Sequence, residues 1–274
     1  MSAIVDIHPH VIATDERRYP RAPLGGKQSD WSRERPVSAE QMLAAMDEAG
    51  IERSVLVQAS TCYGHDNSYL ADAVAAHRQR FAGVFSVDMV AADAAETISR
   101  WKGKGLAGLR VFVVGHTTAQ PVQLDDQRSF PAWECAVAEG LAICVQVRAP
   151  GLPQLETMLK RFPKARVILD HMARPETDDG PPYAKAAGLF ALARYDNLHL
   201  KLTTHNLRDS PRQFLEGAVR LFGAERVAWG SNYPASEGAL GALLAQARGA
   251  LSGLTAAERE WVFSRTAKSL YPDP

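Results

Sequence analysis

The sequence predicts a single-domain (β/α)8 TIM barrel, and three observations carry that expectation. Eight short runs rich in Val, Ile, Leu and Phe recur along the chain, separated by longer amphipathic stretches. Most of these runs are apolar on both faces, as parallel strands are when helices cover one side and a core fills the other. The 274 residues, 46% hydrophobic and 23% charged, suffice for one large core, and barrels of about 250 residues fold as one unit. One domain over residues 1–274 is the resulting organisation.

In chain order, the expected strands are AIVDIH (3–8), RSVLVQ (53–58), FAGVFSVD (81–88), LAGLRVFV (106–113), LAICVQV (141–147), RVILD (166–170), NLHLKLT (197–203) and RVAWGS (226–231). Helices fall between them with recognisable punctuation. SAEQMLAAMDEAG carries Ser38 as N-cap, apolar residues at helical spacing and Gly50 as a stop. SPRQFLEGAVRLFG repeats the device with Ser210, Pro211 at the first helical position and Gly223. The tail TAAEREWVFSRTAKSLY starts at a Thr255 cap and reads as a closing helix, packed on the barrel or on a neighbouring subunit of a homo-oligomer.

Two segments interrupt the alternation. Residues 13–36 form a long loop after the first strand, rich in Pro, Gly and charge, with Tyr19 and Trp31 embedded. A loop in that position lies on the catalytic face, and two large aromatics need a surface to pack on, so a lid or substrate-contacting loop is favoured over a solvated linker. RPETDDGPPYAK (174–185) follows the sixth strand and occupies the same face.

Composition excludes several functions. Lys+Arg and Asp+Glu number 31 each, so no net field draws in nucleic acid or an anionic membrane. No apolar run reaches the roughly 20 residues that span a bilayer, and MSAIVDIHPH lacks the form of a secretion signal. A cytoplasmic protein acting on a small molecule is the expectation. Cys62, Cys135 and Cys144 lack CxxC spacing, which argues against a disulfide framework or a thiolate zinc site.

DIHPH places His8 and His10 two apart at the end of the first strand, a spacing that turns both imidazoles to one side. VILDHMARP adds His171 and Arg174 at the end of the sixth. Histidines from two strand ends converging on one barrel mouth form a catalytic constellation, and imidazole, with an ordinary pKa of about 6.5, suits water activation. His171 is the first choice of base, with His8 and His10 orienting carbonyl or water. His205 in KLTTHN and His65 in YGHDN rank second. Arg110, Arg148, Arg174 and, less centrally, Lys201 lie at or near strand ends and favour a small carboxylated substrate, because guanidinium offers a planar two-donor fork.

With DIHPH, VQASTCYGHDNSYL, GLR at Arg110, LDHMARP and WGSNYP in this order, the chain resembles the amidohydrolase superfamily. The likeness is to its branch of 2-pyrone-4,6-dicarboxylate lactonases and sugar-acid lactone hydrolases and isomerases. The resemblance implies the barrel, a site at the strand C-termini and hydrolysis of a small cyclic ester. It also implies that relatives with a metal hold it through the H-x-H pair, a further strand-end histidine and a final aspartate. This chain has Gln146 where the fifth strand would offer a histidine, and Asn232 in place of the aspartate. Asn232 thereby joins His171, His8 and His10 as a catalytic candidate. The leading expectation is a site without cofactor; the alternative is one divalent cation, Zn2+ first, on His8, His10 and His171. The other functional readings are an isomerase or decarboxylase on the same scaffold, and an inactive barrel that only binds an organic acid.

Overall fold

The computed structural model describes residues 3–112 and 123–273, arranged around one all-parallel sheet of eight strands in sequence order. The strands are β1 (Ile4–Asp6), β2 (Ile51–Val57), β3 (Phe81–Ser86), β4 (Gly108–Phe112), β5 (Ala142–Gln146), β6 (Arg166–Leu169), β7 (Leu198–Thr203) and β8 (Val227–Gly230). The Ile7 amide donates to the Trp229 carbonyl at 3.2 Å and closes the barrel between its first and last strands. All eight expected strands are present; Val113, the expected end of the fourth, lies outside the described residues.

Strand parity sorts the side chains. On β5, Ile143 and Val145 pack outward under the helices, whereas Ala142 and Cys144 join Val84, Ile168 and Ala228 in a separate interior cluster. The tail enters that interior from below. Ala267, Leu270 and Tyr271 belong to the interior cluster, so the C-terminal segment seals the N-terminal end of its own barrel. Gly108 makes room for it: a Cβ there would stand 3.1 Å from the Tyr271 ring.

Most of the helix punctuation is observed. Ser38 caps Ala39–Ala49 reciprocally with Gln41, and Gly50 ends that helix at φ 69°. Thr255 and Glu258 form the same reciprocal cap for Ala256–Glu260, and the tail continues through a π-turn into Thr266–Leu270. The expectation at Ser210 needs correction. An unforeseen helix, Thr204–Asp209, follows β7 and ends at Ser210, and Pro211 is itself the cap residue of Arg212–Phe222. The competing signal was Asn206, whose side-chain oxygen accepts from the Thr203 amide at 3.0 Å and starts the extra helix.

The loop after β1 is packed. Tyr19 is buried in a cluster with Ile12, Ala13, Cys62 and Tyr63, and the loop contains a short helix, Asp30–Glu34. Among the described residues, no helix is long and apolar enough to cross a membrane.

Candidate active site

His8 leaves the end of β1 and is wholly buried, its ring 5.0 Å from that of His10 and 4.8 Å from that of His171. Gly230 on β8 admits it, since a Cβ at that glycine would lie 2.5 Å from His8 Cβ. Neither ring nitrogen of His8 has a hydrogen-bond partner among the described residues. Leaving a buried polar atom unpaired costs about 1–3 kcal/mol, so the position is built for a ligand or a reacting water.

Asp170 faces this ring, its Oδ1 3.9 Å from His8 Nδ1. Two cations hold the carboxylate. Arg110 Nε donates to Oδ2 at 2.9 Å, and Lys201 Nζ lies 2.7 Å from Oδ1. Gln146, the residue standing where a fifth-strand histidine would be, accepts from Arg110 Nη2 at 2.9 Å and fixes that guanidinium.

A left-handed turn brings Asp170 and His171 to the same side. Consecutive residues of an extended strand point to opposite faces. Here the backbone after β6 runs through φ 54°, 51°, 58° and 48° at His171, Met172, Ala173 and Arg174. Each such L-residue costs roughly 1–2 kcal/mol, and local hydrogen bonds hold the turn: the His171 carbonyl accepts from the Arg174 amide and from Asn206 Nδ2, both at 2.8 Å. As a result His8, Asp170 and His171 place one ligand atom each within 4.8 Å of one another.

The electrostatics are those of neutral imidazoles around an ionised carboxylate. Burial, reinforced by Lys201 and Arg110, holds His8 well below the usual histidine range. Burial does the same to His171 against the pull of Asp170, and brings His10 down to about 3. Burial pushes Asp170 up, but Lys201 and Arg110 together outweigh it and bring the carboxyl down to about 2. Tautomers follow from the partners. His10 Nδ1 faces the Val57 carbonyl at 2.8 Å and must carry the proton, leaving Nε2 a free lone pair. His171 Nδ1 meets Thr203 Oγ1 at 2.7 Å; that hydroxyl donates to Asn206 Oδ1, so the imidazole donates to it and keeps its Nε2 lone pair.

The remaining candidates divide into two groups. Arg148, Arg174 and His205 line a cavity of about 230 Å³ together with Asn206 and Asp209. His205 stands beside His171, ring to ring at 5.4 Å, and is held down to about 4 by burial and by the nearby Arg174. Asn232, at φ 57°, donates to Ser236 Oγ at 3.1 Å and lies 3.4 Å from His205 Nε2, so it addresses His205 and not His8. His65 sits apart from both, its Nδ1 3.1 Å from Ser86 Oγ at the end of β3. His10 stacks on Trp31 of the long loop at 5.1 Å, which gives that loop a place over the histidines.

The metal expectation changes with this geometry. Among the described residues the set that converges is His8, Asp170 and His171, not His8, His10 and His171, because His10 spends Nδ1 on Val57. The carboxylate whose absence at position 232 argued against a metal is supplied by Asp170. Two imidazoles and an anionic oxygen, with both His8 nitrogens unpaired, form a donor set that fits a divalent cation. The sequence motif LDHMARP draws attention to His171 and Arg174 and gives no role to Asp170, and Lys201, the least central of the candidate substrate cations, pairs instead with Asp170. The signal was the carboxylate itself at a strand end, beside a histidine.

A family model described as Amidohydrolase matches residues 5–272. L-fucono-1,5-lactonase of Burkholderia ambifaria is 30% identical over 247 residues, 86% of this chain and 82% of that one. A Pseudomonas putida structure named as a 2-pyrone-4,6-dicarboxylic acid hydrolase superposes with a TM-score of 0.81 at 23% identity, over 98% of this chain and 97% of the other. An amidohydrolase from Burkholderia multivorans with bound zinc gives 0.79 at 22% identity over the full length of both. A family match across nearly the entire barrel, joined to a lactonase relative of this coverage, makes the chain a member of the amidohydrolase family of hydrolases.

Proposed function

We propose that this enzyme opens a small lactone ring by attack of water, on a substrate that carries a carboxylate, with one divalent cation, zinc first, held by His8, Asp170 and His171. The observation that supports it most is the wholly buried His8 with two unpaired nitrogens beside Asp170 and His171. The lactonase relative and the zinc-bearing structure of the same fold favour the same reading. When bound, such an ion supplies positive charge for the carbonyl oxygen and makes water a stronger acid.

The chain's own residues do the rest. With the ion on His171 Nε2, that imidazole, the first choice of base from the sequence, has no lone pair left, and His10, neutral with its Nδ1 proton on the Val57 carbonyl and Nε2 free, takes the proton of water as its oxygen bonds to the ring carbonyl carbon. The acyl carbon–oxygen bond then breaks, and the ring oxygen recovers the proton as the product becomes a hydroxy acid. Because His8 and His10 are both held neutral, the carbonyl is polarised by cations and not by an imidazolium. Arg148 and Arg174, near-neighbour cations beside His205, receive the substrate carboxylate. Asn232 positions His205 or the substrate through its amide. Arg110 keeps Asp170 ionised and in place. His65 takes a place at the β2–β3 side of the mouth.

The test is a lactone panel, sugar lactones and carboxylated pyrones included, in weak buffer with and without chelator. Acid release on carboxylated lactones, lost on chelation and restored by zinc, is the expected result. Turnover of neutral sugar lactones alone would remove the anionic part of the proposal. Carbon dioxide release would favour the decarboxylase, and ligand-induced thermal stabilisation without turnover the inactive binding barrel.

A further inference from the structure

We infer that Lys201 is an internal cation sharing Asp170 with the divalent ion, a positioning residue that keeps metal at the His8, Asp170 and His171 site exchangeable; the inference rests on the metal part of the reading above. Lys201 is wholly buried inside the barrel, where aliphatic side chains normally fill the layers. Its ammonium lies 2.7 Å from Asp170 Oδ1, the same oxygen that stands 3.9 Å from His8 Nδ1, and Arg110 covers Oδ2. Each oxygen of the only carboxylate in the donor set therefore already faces a cation.

Among the described residues the ammonium has no comparable second partner. Its other close contact is Cys144 Sγ at 3.4 Å, a weak acceptor that is itself in reach of the Tyr271 hydroxyl. Asp6, the second wholly buried carboxylate, spends Oδ1 on the His8 and Ser231 amides and leaves Oδ2 without a partner. A metal entering at Asp170 Oδ1 meets a like charge already on that oxygen, in a medium that screens poorly. Binding must either proceed against Lys201 or move its flexible four-carbon stem away from Asp170, and Asp6 Oδ2 is a second buried carboxylate oxygen without a partner among the described residues. Without any metal, the same ammonium keeps Asp170 from being a lone buried charge. Lys201 thus holds the site assembled while empty and weakens it towards metal.

The experiment measures zinc affinity of metal-stripped protein by competition with a chromophoric chelator, for the parent, Lys201→Gln and Lys201→Arg, each checked for native near-ultraviolet circular dichroism. Lys201→Gln is expected to bind zinc at least tenfold more tightly than the parent, and Lys201→Arg, which keeps the charge, to stay within a few-fold of it. Equal or weaker binding by folded Lys201→Gln overturns the inference. If Lys201→Gln does not fold, Lys201→Met takes its place in the same titration: tighter zinc than the parent supports the inference, and equal or weaker zinc overturns it. Zinc binding by neither protein defeats the metal site and the inference together. Tighter zinc in Lys201→Gln with no lactone turnover in any variant leaves the inference standing and removes only the proposed reaction.

Discussion

At its N-terminal end the barrel is closed by packing, with Ala267, Leu270 and Tyr271 set among Val5, Val55, Val84 and Ile168, and Arg53 donating to the Tyr271 and Pro272 carbonyls at 2.7 and 3.1 Å. At its C-terminal end the same strands finish in three buried histidines, one of them, His8, without a partner on either nitrogen among the described residues, a carboxylate between two cations and four consecutive left-handed residues. The lower end fills its volume with apolar side chains and leaves only scattered single atoms such as Arg53 Nε and Ser54 Oγ unpaired, whereas the upper end gathers both His8 nitrogens beside Asp170 and a strained backbone in one place. The difference assigns stability to one end and chemistry to the other, because groups poised for a ligand cannot also be saturated by the protein.

Substitutions at the two ends should therefore separate rate from stability. His10→Gln is expected to lower lactone turnover about 100- to 10,000-fold, the usual contribution of a general base, while the melting temperature stays near that of the parent. Tyr271→Ala at the opposite end should cost about 3–5 kcal/mol of stability in denaturant melts and leave turnover per folded molecule unchanged. A His10 variant that melts early with normal turnover, or a Tyr271 variant that loses rate while fully folded, would abolish the division.

Acid should attack the mouth first. His10, held down to about 3, and His205, held down to about 4, stay neutral in the folded chain at pH values where the unfolded chain, near 6.5, is protonated. The unfolded state then binds more protons, so stability rises with pH in this window and is lost as pH falls from about 6.5 towards those folded values. His8 and His171 move in the same direction. Each contributes up to about 1.4 kcal/mol per pH unit, and urea melts at pH 7.5 and 5.0 measure the sum; equal stability at the two pH values would show that these imidazoles are not held neutral. Asp170, at about 2 against an ordinary 3.8, adds stability that disappears only as pH falls through that lower range.

The smallest effect concerns the rim of the mouth. Arg174→Met should raise KM for a carboxylated lactone about tenfold to 100-fold, about 1.5–3 kcal/mol for a lost charged hydrogen-bond pair, with kcat close to the parent because the residue lies beside His205 and outside the His8, Asp170 and His171 set. An unchanged KM would mean that this cavity does not receive the substrate carboxylate.

The strands were legible because their information is local. Short continuous runs of Val, Ile and Leu, Ser38 before a helical face, Gly50 and Thr255 at helix ends all act within a few residues, and the structure follows them. His8, His10, His171 and Arg174 were legible for a related reason: this fold delivers strand ends to one mouth, so chemical residues at those ends are already candidates.

The amino-acid sequence by itself determined the barrel, its long packed loop and the end at which chemistry gathers, since these follow from hydrophobic periodicity and chain order. Only the tertiary structure decided which atoms face one another. Asp170 and His171 are adjacent in sequence and would diverge on a regular strand; four left-handed residues, held in part by Asn206 from 35 positions away, turn them into one pocket. The partners of Asp170 come from β4 and β7, the room for His8 comes from Gly230 on β8, and Asn232 is drawn to His205. Such contacts join residues distant along the chain, and their energies depend on burial and direction, which periodicity along one strand does not encode.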